Sequence, residues 1–203
     1  MIERKIVSAA LIAVGVFFSL GSTSLAQSGG SMTRPQEGGS MTRPNHTSIS
    51  ASDRQFVNEA AQGGMTEVKL GQLALQRASS NSVKQYAQRM IDDHTNANTE
   101  LMNLATQKGI TVPTNLNPKY QSLVTRMSKL SGTAFDREYM TEAGVNSHRQ
   151  QQALFQRQAQ RGQDPQLKAF AAQTLPIVQQ HLKLAQDMAA GRTSSRGDNM
   201  MKK

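Results

Sequence analysis

Residues 82–108 read SVKQYAQRMIDDHTNANTELMNLATQK. Val83, Ala87, Met90, His94, Ala97, Leu101 and Leu104 recur at alternating steps of four and three residues, the spacing that aligns one face of an α-helix. The seam is apolar except at its centre, where His94 stands. Gly109 follows as a C-cap, and Pro113 lies beyond it where the helix cannot continue. The unit from which the rest of the chain is read is thus one long amphipathic helix with an ionisable group at mid-length.

Three other segments repeat this design. Ser52 and Gln55 form a capping box for a proline-free helix over Asp53 to Ala78. Its inward stripe is Phe56, Ala60, Gly63 or Gly64, Glu67, Gly71 and Ala74. Glycines around Glu67 cost about 1 kcal/mol each against alanine, so they mark the close approach of another backbone or room for a ligand. Thr133 to Arg161 forms a third long helix with Phe135, Glu138, Glu142, Val145, His148, Gln152 and Phe155 on one side. Asp164 and Pro165 cap and open the last helix, which ends near Ala190. Its seam is Leu167, Ala171, Thr174, Val178, His181, Ala185 and Met188, and Pro176 predicts a kink before His181.

Between the second and third long helices, Asn117 and Pro118 start a shorter helix that runs to Leu130 and is broken by Ser131-Gly132. Four helices of about 26 residues, each about 39 Å long, are joined by short connections. They predict an all-α, up-down-up-down four-helix bundle over residues 52–190, with a short extra helix between the second and third long ones.

Composition narrows the chemistry. The 203 residues include no cysteine and no tryptophan, and aromatics make up 4%. Disulfide scaffolds, thiolate metal sites and cysteine nucleophiles are excluded. Few aromatics and few β-branched runs argue against a sandwich or barrel, including a membrane barrel, whose alternating strands are missing. No G-x-S-x-G elbow, P-loop, dinucleotide fingerprint or H-E-x-x-H run is present. Any reaction chemistry must use oxygen and imidazole.

The termini read as address and tails. Arg4 and Lys5 precede an apolar run from Ile6 to Leu20, and Ser24-Leu25-Ala26 places small residues three and one positions before Gln27. The run is shorter than the about 20 residues a spanning helix needs, so residues 1–26 are expected to be a signal peptide cleaved after Ala26, the alternative being an uncleaved anchor. The mature chain is expected to be periplasmic or secreted, with no transmembrane segment. Residues 27–51 carry GGSMTRP twice, at Gly29–Pro35 and Gly38–Pro44, and read as a disordered linker. Residues 191–203 read as a basic disordered tail. Losing Glu3, Arg4 and Lys5 with the leader leaves a net charge of +8, one less than the +9 of the whole chain. Outside the cytoplasm that charge faces lipid headgroups or polysaccharide rather than nucleic acid, through tails that tether the protein or are merely solvated.

Counted from their helix starts, Glu67, His94, His148 and His181 all fall near mid-helix. In an antiparallel bundle of equal helices the midpoints share one level, so one carboxylate and three imidazoles converge there. The fourth histidine of the chain, His46, lies in the linker. Such a donor set suits one divalent ion, zinc, iron, manganese or copper. The alternatives are a metal-free polar layer in which Glu67 bonds histidine and locks helix register, and a failure of the four to meet. Asp93, beside His94 but turned about 100° away, reads as a surface group or as a support for a ligand. A di-iron centre would need Glu-x-x-His, but Ile91, Val145 and Val178 stand three before the histidines. Glu138 and Glu142 would add oxygen only if turned inward.

FVNEAAQGGMTEVKLGQLA from Phe56, VKQYAQRMIDDHTNAN from Val83, FDREYM from Phe135 with His148, and FAAQTLPIVQQHLKLA from Phe170 resemble the domain-of-unknown-function family 4142. The resemblance spans about Asp53 to Ala190. It implies a ferritin-like fold in a secreted protein, a family sometimes labelled outer-membrane, and it supports attention to Glu67, His94, His148 and His181 without naming a reaction. Asn146-Ser147-His148 departs from the family, which more often has an acid just before the histidine, and this argues against a carboxylate-rich site. The leading functional expectation is metal or small-ligand binding at mid-bundle, linked to envelope stress. The rivals are a metal-free interaction module of the cell envelope and a redox metalloenzyme.

Overall fold

A computed structural model describes residues 49–191. The expected leader, nearly all of the linker and the basic tail after Gly191 lie outside the described residues. The described chain is helical without a strand: α1 (Ala51–Arg77), α2 (Asn81–Gln107), α3 (Pro118–Met127), α4 (Gly132–Tyr139), a π-helical segment (Met140–Ser147), α5 (His148–Arg161) and α6 (Pro165–Ala189). Taken together, α4, the π segment and α5 form the third long rod, with α3 as the extra helix. The start of that rod lies beside the start of α2, Asp136 bonding Ser79 and Ser80, and its end lies beside the start of α1, Gln158 bonding Asp53. The order is therefore up-down-down-up and not the expected up-down-up-down, because the α3 connection carries the chain back along the bundle. No described helix is long and apolar enough to cross a membrane.

Helix ends follow side-chain chemistry. Ser50, rather than Ser52, caps α1, because Ser50 Oγ accepts from the Asp53 amide at 3.1 Å and donates to the Asp53 carboxylate at 2.7 Å. This box draws Asp53 inward. Its carboxylate also accepts from Gln158 Nε2 at 2.7 Å and from the backbone N–H groups of Gln163 and Asp164, binding the start of α1 to the α5–α6 turn. Gly109, at φ +63°, ends α2 as expected. The short helix α3 stops at Met127, three residues before the expected end at Leu130, since Ser128 already turns its hydroxyl back onto the Thr125 carbonyl. Asp164 caps α6, which runs unbroken through the exposed Pro176.

The third rod is where the inward face differs most from expectation. Glu138 and Glu142 stand on the partly exposed side and reach Arg126 of α3 at 3.4 and 3.7 Å. The buried line runs instead through Phe135, Tyr139, Ala143 and His148. The last of those steps is five residues long, because each turn of the π segment holds about one residue more than an α turn. That extra residue rotates α5 and carries His148 onto the inward face.

Two apolar clusters fill the bundle. One gathers Leu70, Ala74, Tyr86, Met90, Phe135, Tyr139 and Ala185. The other gathers Phe56, Ala60, Leu101, Phe155, Leu167 and Phe170. On every long rod the stretch between the two holds one buried ionisable residue: Glu67, His94, His148 and His181.

Candidate metal centre

Each histidine arrives from a different rod: His94 from α2, His148 from the first position of α5, His181 from α6. Their ring centroids stand 5.6, 5.6 and 5.3 Å apart, close to an equilateral triangle. One nitrogen from each ring falls within 4.8 Å of the others. The Nε2 atoms of His94 and His148 are 3.5 Å apart, near the about 3.4 Å that separates two nitrogens on a tetrahedral ion with bonds of about 2.1 Å.

Outer partners fix two of the three tautomers. His148 Nδ1 lies 2.8 Å from the Ala143 carbonyl, which can only accept, so the proton sits on Nδ1 and Nε2 is bare. His181 Nε2 lies 2.8 Å from Asp93 Oδ2 and donates to it, leaving Nδ1 bare, buried and without a partner. Asp93 is itself held by Arg89 Nε at 3.3 Å. His94 has no such outer bond, and while His148 keeps its proton on Nδ1, His94 Nε2–H donates across the triangle. Burial pushes all three imidazoles below the usual histidine range. For His148 the value falls to about 4, burial and the His181 charge outweighing the Ala143 and Gly144 backbone bonds. At neutral pH the site therefore presents uncharged nitrogens, the form that ligates metal.

Glu67 occupies the same layer but does not belong to this nitrogen group. Its Oε1 accepts from Ser147 Oγ at 2.5 Å and from Gln151 Nε2 at 3.5 Å, while Oε2 is buried with no partner. Burial pushes the carboxyl up to about 8, the Ser147 bond opposing. The acid is protonated and neutral at pH 7. Tyr139, buried with its hydroxyl unpaired, and Tyr86, whose hydroxyl donates to the His181 carbonyl at 3.4 Å, close the layer on that side.

Of the four residues the sequence brings to one level, the structure gathers the three histidines and leaves Glu67 apart, and Asp93, read as a surface group or a support, lies behind His181. The Ala143 carbonyl, Ser147, Gln151 and the two tyrosines were missed. Gln151, one turn after His148, was open to the same counting, whereas the Ala143 carbonyl is freed only by the π segment, which leaves no mark in residue pattern.

A helical bundle with imidazoles from three rods converging at mid-height defines the class of the molecule. The chain belongs to the family described as domain of unknown function (DUF4142), whose model matches residues 39–188. No curated protein matches it. Among solved structures it is similar to a DUF305 fragment from Deinococcus radiodurans at 13% identity and a TM-score of 0.62, covering 70% of this chain and 98% of that one. It is also similar to a DUF305 protein from Streptomyces coelicolor, named as a presumptive secreted protein, at 14% identity and a TM-score of 0.59, covering 70% and 92%. These likenesses concern the fold alone.

Proposed function

We propose that the protein binds one divalent transition-metal ion through His94, His148 and His181. The observation that carries this reading is the pair of bare nitrogens, His148 Nε2 and His181 Nδ1, each left inside by a partner that holds the other ring nitrogen outward. Metal-ligating histidines are usually oriented in this way. Neutral nitrogen donors without a carboxylate favour zinc or copper(II) over manganese, and copper stands highest in affinity. His94 joins them by moving its proton to Nδ1.

The metal-free reading has its own observation, the 3.5 Å contact between His94 and His148, which serves as a hydrogen bond when no ion is bound. We further propose that residues 1–26 are a leader removed after Ala26 and that the bundle works in the periplasm or beyond it. Full-length protein purified without chelator tests the metal reading by elemental analysis and thermal shift. Near-stoichiometric zinc or copper is expected, with stabilisation of about 2.7 kcal/mol when the free ion exceeds Kd a hundredfold. A chain that holds no metal and shows no shift with zinc, copper, manganese or iron leaves the polar-layer reading standing.

A further inference from the structure

Three nitrogens leave a tetrahedral ion one position for another ligand. The surroundings of the triangle are unequal along the bundle axis. On one side Tyr86 packs against it, its ring centroid 6.4 Å from that of His148. On the other lies a cavity lined by His94, Ala97, Asn98, Gln151 and Thr174 over a floor that includes Phe155. All of its lining from α2, α5 and α6 is set off from the histidines in the same axial direction. A water-sized sphere can centre itself in about 10 Å³ of it, which is close to the least that houses one water.

The cavity also has the polar partners such a guest needs. Thr174 Oγ1 donates to the Phe170 carbonyl at 2.8 Å and keeps its lone pairs. Gln151 donates through Nε2 to Glu67 and Ser147, so its carbonyl oxygen remains an acceptor. Asn98 lies across Gly64, where an added Cβ would collide with its Oδ1, and closes the flank between α1 and α2.

Resting on the metal reading, we propose that the ion's remaining position opens into this cavity and takes a ligand of one or two non-hydrogen atoms. Water fills it at rest and a small anion replaces it, Asn98 standing at the way in. Larger donors are shut out by Phe155 and by the volume itself.

The test uses full-length protein loaded with copper(II) and read by electron paramagnetic resonance. Exchange into D2O is expected to add deuterium modulation from bound water, and fluoride to change the copper spectrum, while imidazole leaves it unaltered. Ala97→Leu, which fills the cavity, is expected to keep stoichiometric copper and to lose both the water signal and the fluoride response. Thr174→Leu fills it from α6 and is expected to do the same, so loss of fold in one variant leaves the other as the test. The inference is overturned if loaded protein shows neither exchangeable water nor a fluoride response, if imidazole binds as readily as fluoride, or if both filled variants respond like the parent. Those outcomes leave the metal reading intact, whereas failure to take up copper removes this inference, and failure to take up zinc, manganese and iron as well removes both.

Discussion

The imidazole triangle and the Glu67 corner share one layer of the bundle, yet they solve burial differently. Each of His148 and His181 donates one ring N–H to an acceptor at 2.8 Å and keeps a bare nitrogen inside. Glu67 instead stays protonated, bonded through one oxygen to Ser147 and orphaned at the other. A buried charge without a partner costs several kcal/mol, and neutralising the acid is the cheaper state. Neutral imidazoles lose little by burial and gain a place for a cation, whereas a neutral carboxyl offers a cation almost nothing. One layer therefore holds a region of bare, uncharged nitrogens beside a corner where the carboxyl is kept neutral.

Removing a ligand gives the largest contrast between the two. His181→Ala and His94→Ala are each expected to abolish metal uptake and the metal-dependent rise in Tm, while Glu67→Gln retains both. Loss of uptake in Glu67→Gln, measured by elemental analysis beside the histidine variants, would merge the two regions into one site. Asp93→Asn comes next. The isosteric amide keeps the packing but weakens the hold on His181 Nε2–H, and a change to such an outer partner typically lowers metal affinity 10- to 100-fold. An unchanged affinity by competition with a chelator would show that Asp93 serves only its ion pair with Arg89.

Much of this was legible before the structure, for an identifiable reason. Helix length and the steps of four and three residues put His94 and His181 at mid-height on seams whose apolar neighbours are buried, and Glu67 followed from the small-residue stripe of α1. What failed lay on the third rod. An unbroken α-helix from Thr133 would place Glu138, Glu142 and His148 on one side. Glu138 already stands off the buried Phe135–Tyr139 line of α4, and the π segment that follows Tyr139 inserts its extra residue before His148, so that the imidazole faces the core while Glu138 and Glu142 both reach Arg126. Register of that kind is set by packing against the other rods, not by the propensity of Met140 to Ser147. The Asp93–His181 contact was equally hidden, since it crosses between α2 and α6.

The acid corner has its own pH signature. Unfolded, Glu67 ionises near its ordinary value of 4.5, and folded, at about 8. Below 4.5 both states hold the proton. Between the two values folding takes up a proton, so stability falls as pH rises, and above about 8 the loss is complete. The three histidines act in the opposite sense and lower down: their depressed values stabilise the fold above about 6.5, and that contribution is lost as pH falls. The two regions thus separate between pH 7 and 9, where, of these four groups, only Glu67 still titrates. Metal-free protein is expected to lose stability to urea over that interval, and Glu67→Gln to abolish the slope; a slope that survives the substitution belongs to another group.

The smallest effect probes how independent the corner is. Ser147→Ala deletes the 2.5 Å bond to Glu67 and leaves Gln151, at 3.5 Å, as the remaining donor to that oxygen. Losing one such bond is expected to cost about 1 kcal/mol. Because the Ser147 bond holds the carboxyl down against burial, the variant's pH-dependent loss of stability should still begin near pH 4.5 but continue to higher pH than in the parent. Ser147 is also the residue before His148, so the same variant asks whether disturbing the corner disturbs the triangle. With His148 Nδ1 still held by the Ala143 carbonyl, zinc and copper uptake is expected to stay at the parental level. A fall in metal affinity accompanying that upward extension would mean that the carboxyl and the imidazoles act through one shared network.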